Sequence, residues 1–429
     1  MRVDQFVYYT IIIFNALTVL LFAGAPLVSA SPDTHFITLL YIIFCLLCWS
    51  WGYKKYNYQK CVGYSFKKQV FTHIDKGFLT FLFVFYLLTI IPKYGYELSC
   101  GAFDVVGIIN KIIIGINDPS VGYLMDRGTP PFSWTIYFFI SIIDSVFLIV
   151  GLLLWKKLNR YLQFIIVILC IFEMLTWFGK GTNFGIIMMA LTILFTTLAQ
   201  TSTYFNKKKI FVFFGLGLGL ALFSLFVFSY NMEGRSGGDL AVVSDSNFRL
   251  DDFFIVNRFV IDNTSPWFCT LYKLIVSYLV GGYTNLQCVF NCEFSWCWFM
   301  GDNPSKANLA EILFGVDFES MNYPTLIEKK FGVDKYVDWH SCYLWLANDY
   351  TLLGVPFVLN WIGKFTSSAL VMFMRDKDLL SGVIFVIFSN MGMFLFANNN
   401  YIASVFYSFI FIFPFWFNTR FKYFKRNFA

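Results

Sequence analysis

Three arginines between residues 235 and 258 are candidates for holding a phosphate-containing substrate. Arg235, Arg249 and Arg258 follow one another, and the last lies in the string DDFFIVNRFVID from Asp251 to Asp262. Arginine binds a phosphate through two parallel hydrogen bonds and keeps its charge at any relevant pH. Because Arg258 stands among apolar residues, its charge needs a specific partner. A salt bridge to an aspartate of the same string is the alternative to a substrate.

A glycine-rich turn supplies one more cation. Its residues are Gly179, Lys180, Gly181, Thr182 and Asn183, and an apolar run follows them. Free backbone N–H groups and the helix dipole favour anions at a helix N-terminus, so Lys180 is a candidate phosphate ligand. An ordinary turn between two helices is the alternative.

A histidine and an aspartate are candidates for the catalytic base. His340 is one of only 3 histidines, and Asn348 and Asp349 follow it closely. Histidine can act as a general base near neutral pH, and Asp349 could orient it or activate a hydroxyl itself. Asn348 would then bind the substrate beside them. Asp349 could equally cap the N-terminus of the helix that follows.

Amide and aromatic side chains suit a sugar. Asn398, Asn399 and Asn400 each offer two donors and an acceptor to sugar hydroxyls, although they could also simply form a tight turn. Gly281 and Gly282 permit close backbone approach. The candidates for stacking on sugars are Tyr278, Tyr283, Trp296 and Trp298, although Trp and Tyr also collect at membrane interfaces.

The composition identifies the solvent in which these groups must work. The 429 residues are 58% hydrophobic and 14% charged, whereas soluble domains carry about 25% charged residues. The chain is therefore expected to lie in lipid. Its net charge of +6 would suggest nucleic acid for a soluble protein, but in a membrane protein excess Lys and Arg marks cytoplasmic loops. We expect membrane lipids as partners and no nucleic acid.

Apolar runs of about 20 residues, the length that crosses a bilayer, predict ten spans. They cover residues 6–29, 36–53, 77–92, 132–155, 161–178, 182–201, 210–229, 350–373, 379–397 and 401–419. Residues 267–289 predict short or re-entrant helices, or two further spans. The fold class predicted is an all-α polytopic membrane bundle of 10 to 12 transmembrane helices, in three parts: helices in 1–229, a large loop in 230–349, and helices in 350–429. The smaller loop 92–131 is predicted to be irregular.

The basic residues predict the orientation. Most of the 32 Lys and Arg lie in short segments at the helix ends of one side, which the positive-inside rule assigns to the cytoplasm. Both termini then lie in the cytoplasm. The large loop 230–349 lies on the other side.

Acidic residues and cysteines leave several possibilities open. Asp144 and Glu173 fall within predicted spans, where they could relay protons or simply join helices by hydrogen bonds. Of the 10 cysteines, the three at 288, 292 and 297 miss the usual zinc spacing, and a disulfide to Cys269 or Cys342 stays open. We expect no metal, since no cluster of acidic ligands for a divalent cation is evident. We also expect no cofactor.

Taken in order, several strings resemble the O-antigen polymerase (Wzy) family of the bacterial inner membrane. They are the GKGTN turn at Gly179, the arginine element around Arg258, SYLVGGYTNL from Ser277, WHSCYLWLANDYTLLG from Trp339 and FANNNYI from Phe396. The arginine-and-glycine repeat of some family members is not found at Arg235, Arg249 or Arg258.

The resemblance implies a glycosyltransferase of lipopolysaccharide biosynthesis with a GT-C-like fold and a periplasmic large loop. Its partners would be undecaprenyl-pyrophosphate-linked oligosaccharides and a chain-length regulator. The arginines and Lys180 would stabilise the pyrophosphate leaving group. Two alternatives stay open. One is an O-antigen ligase-like transferase, and the other is a lipid-linked oligosaccharide flippase or a proton-coupled transporter.

Overall fold

The architecture is that of a computed structural model. It describes residues 2–55, 76–98, 100–101, 103–126, 146–181, 184–201, 249–301, 304–335, 340–397 and 412–419, with scattered positions between 211 and 233.

Every regular element of these residues is a helix, apart from one isolated antiparallel bridge between Leu27 and Leu250. The α-helices named below are α1 (Val3–Gly24), α2 (His35–Lys55), α3 (Lys76–Glu97), α4 (Val105–Asn117), α5 (Pro119–Asp126), α6 (Arg160–Gly179), α7 (Phe184–Gln200), α8 (Ile255–Asn263), α9 (Pro266–Val289), α10 (Pro304–Phe314), α11 (Tyr323–Phe331), α12 (Cys342–Asp376) and α13 (Leu379–Met393). Short 3-10 helices occupy Pro32–Thr34, Trp155–Lys157 and Glu319–Met321.

Four of the described helices are long and apolar enough to cross a membrane. They are Val3–Gly24, Pro32–Lys55, Arg160–Gly179 and Cys342–Asp376, and four shorter apolar helices accompany them. A helix satisfies its own backbone hydrogen bonds, which the hydrocarbon cannot do. The prediction of an all-helical, membrane-associated protein is confirmed. The count of 10 to 12 spans stays a prediction, and much of the predicted spans 132–155, 210–229 and 401–419 lies outside the described residues.

The predicted span 350–373 is the second half of a longer helix and starts next to a break in it. Helix α12 begins at Cys342, and the side chain of Ser341 caps it by accepting from the Leu344 N–H at 3.4 Å. The helix breaks at Thr351, whose φ of 61° and ψ of 164° are not helical. The Thr351 hydroxyl caps the second half by accepting from the Gly354 N–H at 3.3 Å. The prediction took the polar residues before Tyr350 for a loop, although tertiary contacts satisfy them inside a helix.

Helices α4 and α5 occupy most of the described part of the smaller loop, contrary to the prediction of an irregular segment. The Asp104 carboxylate caps α4 by accepting from the Gly107 N–H at 2.8 Å. Asp118 accepts from the Ser120 N–H at 3.0 Å at the start of α5. An aspartate at a helix N-cap satisfies backbone donors that would otherwise lack partners, so these two residues begin helices.

The segment from 249 to 301 packs at the end of the bundle where α1 ends and α2 begins, which we call the α1–α2 end. The side chain of Asn257 donates to the Pro26 carbonyl at 2.8 Å, just after α1. At the far end of α9, the Gln287 carbonyl accepts from the Thr34 hydroxyl at 2.8 Å. Helix α8 and the C-terminal end of α9 therefore contact the same end of the first two spans, which is the end that the charge pattern predicts to face away from the cytoplasm.

Helices α2 and α12 approach each other closely through glycine. A Cβ atom on Gly52 would overlap the Asn360 carbonyl, and one on Gly363 would overlap the Trp49 carbonyl. Small residues let two helix backbones meet within a membrane, where van der Waals packing replaces the hydrophobic effect between helices. This contact fixes α12 and therefore the loops that its first half carries.

Candidate functional site

Three separate strings of the sequence meet at Gly282. A Cβ atom placed there would overlap the Phe396 carbonyl and would lie 3.0 Å from the Ser341 backbone nitrogen. The Cys342 N–H also donates to the Leu395 carbonyl at 3.1 Å. Only glycine fits between these two backbones. Helix α9, the start of α12 and the segment after α13 are therefore in direct contact.

One further predicted substrate-binding residue, Gly281, belongs to this junction. Gly281 is buried beside Gly282 on α9. Asn398, Asn399 and Asn400 lie outside the described residues, and they follow Ala397 directly in the sequence. The junction therefore contains Gly281 and the residues that come immediately before the three asparagines in the sequence.

Tyr283 attaches α9 to α1. Its hydroxyl lies 3.0 Å from the hydroxyl of Thr18, and its ring centroid lies 5.5 Å from that of Phe22 and 6.1 Å from that of Tyr343. The ring is fully buried. A sugar could stack on Tyr283 only after α9 had moved, so the residue holds the helix in place in this arrangement.

His340 is fully buried at the same junction, two residues before α12. Its ring meets that of Trp345 edge to face, with 6.1 Å between the centroids. Burial lowers the pKa of His340 to about 4, while the backbone of Lys335 and the charge of Asp334 oppose that shift in part. The imidazole is therefore neutral at pH 7 but a weak base, and a base works best when its pKa is near the working pH. A buried, neutral His340 is therefore better suited to orient a neighbouring group than to take up a proton.

Asn348 and Asp349 fasten a loop to α12. The Asn348 side chain accepts from the Tyr323 N–H at 2.7 Å and donates to the Gly301 carbonyl at 2.8 Å. The Asp349 carboxylate accepts from the Gly301 N–H at 3.0 Å. Both residues are buried within α12, so the alternative of an N-cap role for Asp349 at the start of its helix is wrong. The side chains of two consecutive residues, Asn348 and Asp349, therefore bind the carbonyl and the N–H of Gly301.

The loop held in this way carries an exposed aromatic surface, made of Trp296, Trp298 and Phe299, which we call the aromatic shelf. The two tryptophan rings stack with centroids 4.4 Å apart and planes at 24°. The Trp296 indole N–H donates to the Asp349 carbonyl at 3.1 Å. Trp298 and Phe299 have φ values of 51° and 63°, a left-handed conformation that costs a non-glycine residue about 1–2 kcal/mol. Contacts to α12 thus hold two large aromatic side chains exposed in a strained loop.

Arg258 lies on the outward side of α8 rather than in a buried site. Its side chain is 76% exposed, and its Nε lies 3.7 Å from the carboxylate of Asp262, one turn along the helix. The salt bridge that the sequence offered as the alternative is present, but it is long and exposed, and such pairs contribute little to stability. The guanidinium is therefore accessible to an anion from outside the protein.

The other two predicted arginines are described only in part. The backbone carbonyl of Arg249 accepts from the Val28 N–H at 2.8 Å, next to the end of α1, and its side chain is exposed. Arg235 lies outside the described residues.

Asn257 positions Arg258, a role that we did not predict from the sequence. Its amide nitrogen donates to the carbonyls of Pro26 at 2.8 Å and Asp251 at 2.9 Å. Its amide oxygen accepts from the Tyr272 hydroxyl at 3.2 Å. One buried side chain therefore ties α8 to both α1 and α9. The only sequence signal was the polar side chain of Asn257, three positions before Val260 and therefore on the same side of a helix.

Lys180 is buried, so the glycine-rich turn is not an open anion site in this arrangement. Its ammonium lies 4.6 Å from the Trp177 ring centroid. A Cβ atom at Gly181, which has a φ of 59°, would overlap the Pro119 carbonyl, and one at Gly115 would overlap the Gly179 carbonyl. Helices α4 and α5 cover the turn, and a phosphate would reach Lys180 only if they moved.

Glu173 has a cation that the sequence did not reveal. The Lys93 ammonium lies 3.5 Å from one of its carboxylate oxygens, and Lys93 comes from α3. The Tyr94 hydroxyl donates to the same oxygen, and the Trp177 indole N–H donates to the other at 3.0 Å. This arrangement joins α3 to α6. Asp144, the other acidic residue of the predicted spans, lies outside the described residues.

Each cysteine in the described part of the chain is free, so the disulfide left open for Cys269 or Cys342 is not formed. The described residues also contain no group of three or more His, Cys, Asp or Glu side chains that could hold a metal ion.

Comparison of the chain with protein-family models, with curated proteins and with solved structures gives no match. The functional argument therefore rests on the residues and on their geometry.

Proposed function

We propose that this protein joins undecaprenyl-pyrophosphate-linked oligosaccharide repeat units into O-antigen polysaccharide at the periplasmic face of the bacterial inner membrane. The contact at Gly282 carries the proposal. The strings containing Gly282, His340 and Phe396 are three of those by which the sequence resembles the polymerase family, and they are far apart in the chain yet adjacent in space. If the three strings form one site, their separate resemblances to the same family have a common cause.

The reaction is a glycosyl transfer. A hydroxyl of the incoming unit attacks the anomeric carbon of the growing glycan, the bond from that carbon to the lipid pyrophosphate breaks, and the hydroxyl proton passes to the departing pyrophosphate or to water. The pyrophosphate takes the electron pair and gains negative charge. An accessible guanidinium stabilises such charge as it develops, which supports Arg258 as the residue that binds the leaving group.

Arg258 is connected to the Gly282 junction by α9. Asn257, its neighbour, accepts from the Tyr272 hydroxyl on that helix. From Tyr272 to Gly282 the helix rises roughly 15 Å at 1.5 Å per residue. A lipid pyrophosphate at Arg258 with its glycan directed along α9 would therefore bring the sugars towards the junction.

The aromatic shelf supports binding of sugars. Flat aromatic faces bind the apolar faces of sugar rings, and Trp296 and Trp298 are already stacked and exposed. The Asp349 carboxylate holds the loop that carries the shelf by accepting from the Gly301 N–H, so Asp349 acts in this proposal as a positioning residue. His340, being neutral, orients groups at the junction.

Reconstitution tests the proposal directly. Purified protein in proteoliposomes with lipid-linked repeat units should produce a ladder of lengthening glycans. Arg258→Ala should abolish chain growth while the protein still inserts, and Arg258→Lys should be intermediate at best because a point charge cannot replace the planar guanidinium. Lys329→Ala, at another exposed cation, is the matched control and should leave the ladder unchanged.

Three results would contradict the proposal. A full ladder from Arg258→Ala would remove the role of that arginine. Modification of a supplied lipid A core alone, with no ladder, would replace the polymerase with the ligase-like transferase. Uptake of lipid-linked oligosaccharide without any glycan product would identify a transporter.

A further inference from the structure

The segment from 249 to 268 is attached to the end of a membrane span. The Val28 N–H donates to the Arg249 carbonyl at 2.8 Å, and the Asp251 N–H donates to the Pro26 carbonyl at 3.1 Å. The Asn257 side chain donates to the same Pro26 carbonyl at 2.8 Å. Helix α1 ends at Gly24, two residues earlier. These bonds hold the segment at the level where the first span leaves the hydrocarbon.

Helix α8 lies next to the end of the lipid-facing stripe of α1. Exposed Ile13, Leu17 and Leu20 follow one another at helical spacing along α1, and Gly24 continues the stripe. A Cβ atom on Gly24 would lie 3.9 Å from a methyl group of Val256 on α8. A helix in contact with the lipid-facing side of a span, at the last residue of that span, must lie at the border of the bilayer.

The outward face of this segment is apolar. Asn257 and Val260 are buried against the bundle. On the opposite face, Ile255 is 85% exposed and Phe259 is 63% exposed, and Phe253 just before the helix is 92% exposed. Water solvates such a surface poorly, and contiguous exposed apolar patches mark interaction sites with proteins or membranes.

Charged side chains border this face as they do in helices that lie in a membrane surface. Arg258 and Asp262 flank Ile255 and Phe259 on one side, and their pairing at 3.7 Å reduces the cost of placing either near lipid. Arginine can lay its apolar stem along hydrocarbon and keep its guanidinium among the headgroups. Trp267, exposed at the start of α9, suits the same interface.

We infer that residues 249–268 form an in-plane membrane-interface element, with Phe253, Ile255 and Phe259 inserted at the boundary between lipid headgroups and acyl chains. The lipid surface is the occupant because the element continues the lipid-facing stripe of α1 at the height where that span ends. This inference does not depend on the proposed glycosyl transfer, since it requires only a lipid bilayer.

Spin labelling of the full chain in nanodiscs of phosphatidylethanolamine and phosphatidylglycerol tests it. In one variant a ketone-bearing amino acid replaces Ile255, and in a second variant it replaces Phe259. The ketone reacts with the nitroxide label, so every native cysteine can stay in place. Collisions with oxygen, which concentrates in lipid, are compared with collisions with a water-soluble nickel chelate. A label at Leu47, on the lipid-facing side of α2, and one at exposed Lys329 provide the lipid and water references.

We expect the labels at Ile255 and Phe259 to show an oxygen-to-nickel collision ratio several-fold above that at Lys329 and below that at Leu47. A ratio equal to that at Lys329 would overturn the inference, because the face would then contact water. Low accessibility to both reagents would also overturn it, because protein would then cover the face. Dipolar broadening between labels in such a sample would identify that protein as a second copy of the chain.

Discussion

Replacement of Gly282 by alanine tests the junction on which the proposed function depends. The added Cβ would overlap the Phe396 carbonyl and lie 3.0 Å and 3.2 Å from the Ser341 nitrogen and Cα. All three neighbours are backbone atoms, which cannot rotate away as a side chain can. An ordinary contact begins at 3.4 Å, so the two backbones must separate by on the order of 1 Å.

Two magnitudes follow from that displacement. Overpacking of a well-packed core costs about 1–3 kcal/mol, so we expect a modest loss of stability. A displacement of about 1 Å at a catalytic site can lower the rate by roughly 100-fold, so the loss of polymer should be much larger than the loss of folded protein. Activity and stability should therefore separate in Gly282→Ala.

The assay measures the glycan ladder and the thermal unfolding midpoint in the same preparation. Gly24→Ala is the benign control, because its nearest neighbouring atom is 3.9 Å from the new Cβ. Gly363→Ala is the packing control, because its Cβ overlaps the Trp49 carbonyl between α2 and α12, away from the junction. The reasoning would be refuted if Gly282→Ala made a full ladder, or if Gly363→Ala lost the same activity for the same loss of stability.

Three further predictions concern the groups around the site. Burial lowers the pKa of His340 from 6.5 to about 4, so the unfolded chain takes up the proton first as the pH falls. The wild-type protein should therefore lose on the order of 3 kcal/mol of unfolding free energy between pH 6.5 and 4. In a series of unfolding curves over this pH range, His340→Gln should lose less. Asn348→Ala leaves the Tyr323 N–H and the Gly301 carbonyl without this partner, at about 1–3 kcal/mol for each buried group, and a thermal midpoint equal to wild type would contradict the loop attachment. Glu173→Gln removes the carboxylate beside Lys93 and should cost about 3–5 kcal/mol, most of it recovered in the double variant with Lys93→Met; an unchanged midpoint with lost activity would instead indicate a proton relay.

The overall class of the protein could be predicted from the sequence. A chain with 58% hydrophobic residues must lie in lipid, and a backbone in lipid must satisfy its own hydrogen bonds, so long apolar runs become helices. Local signals for helix starts were also present: Asp104 and Asp118 cap α4 and α5, although the loop that contains them was predicted to be irregular. Local chemistry alone was sufficient for these features.

The roles of the candidate residues depended on partners far away in the chain. The sequence singled out Asn348 and Asp349, but whether they bind a substrate or Gly301 depends on where the loop from 296 to 301 packs. The sequence assigned no cation to Glu173 because its partner, Lys93, lies on another helix. The pattern within one helix cannot reveal a neighbour that packing brings beside it.

The sequence by itself determined that this is an apolar, helical membrane protein, and it identified the strings that contain Gly282, His340 and Phe396. Only the tertiary structure showed that those strings are in contact, that His340 is buried and that Arg258 is exposed. Helix formation follows from the neighbours of each residue along the chain. Burial, charge pairing and the closeness of backbones follow from which helices pack together, and that depends on side-chain shape across the whole bundle.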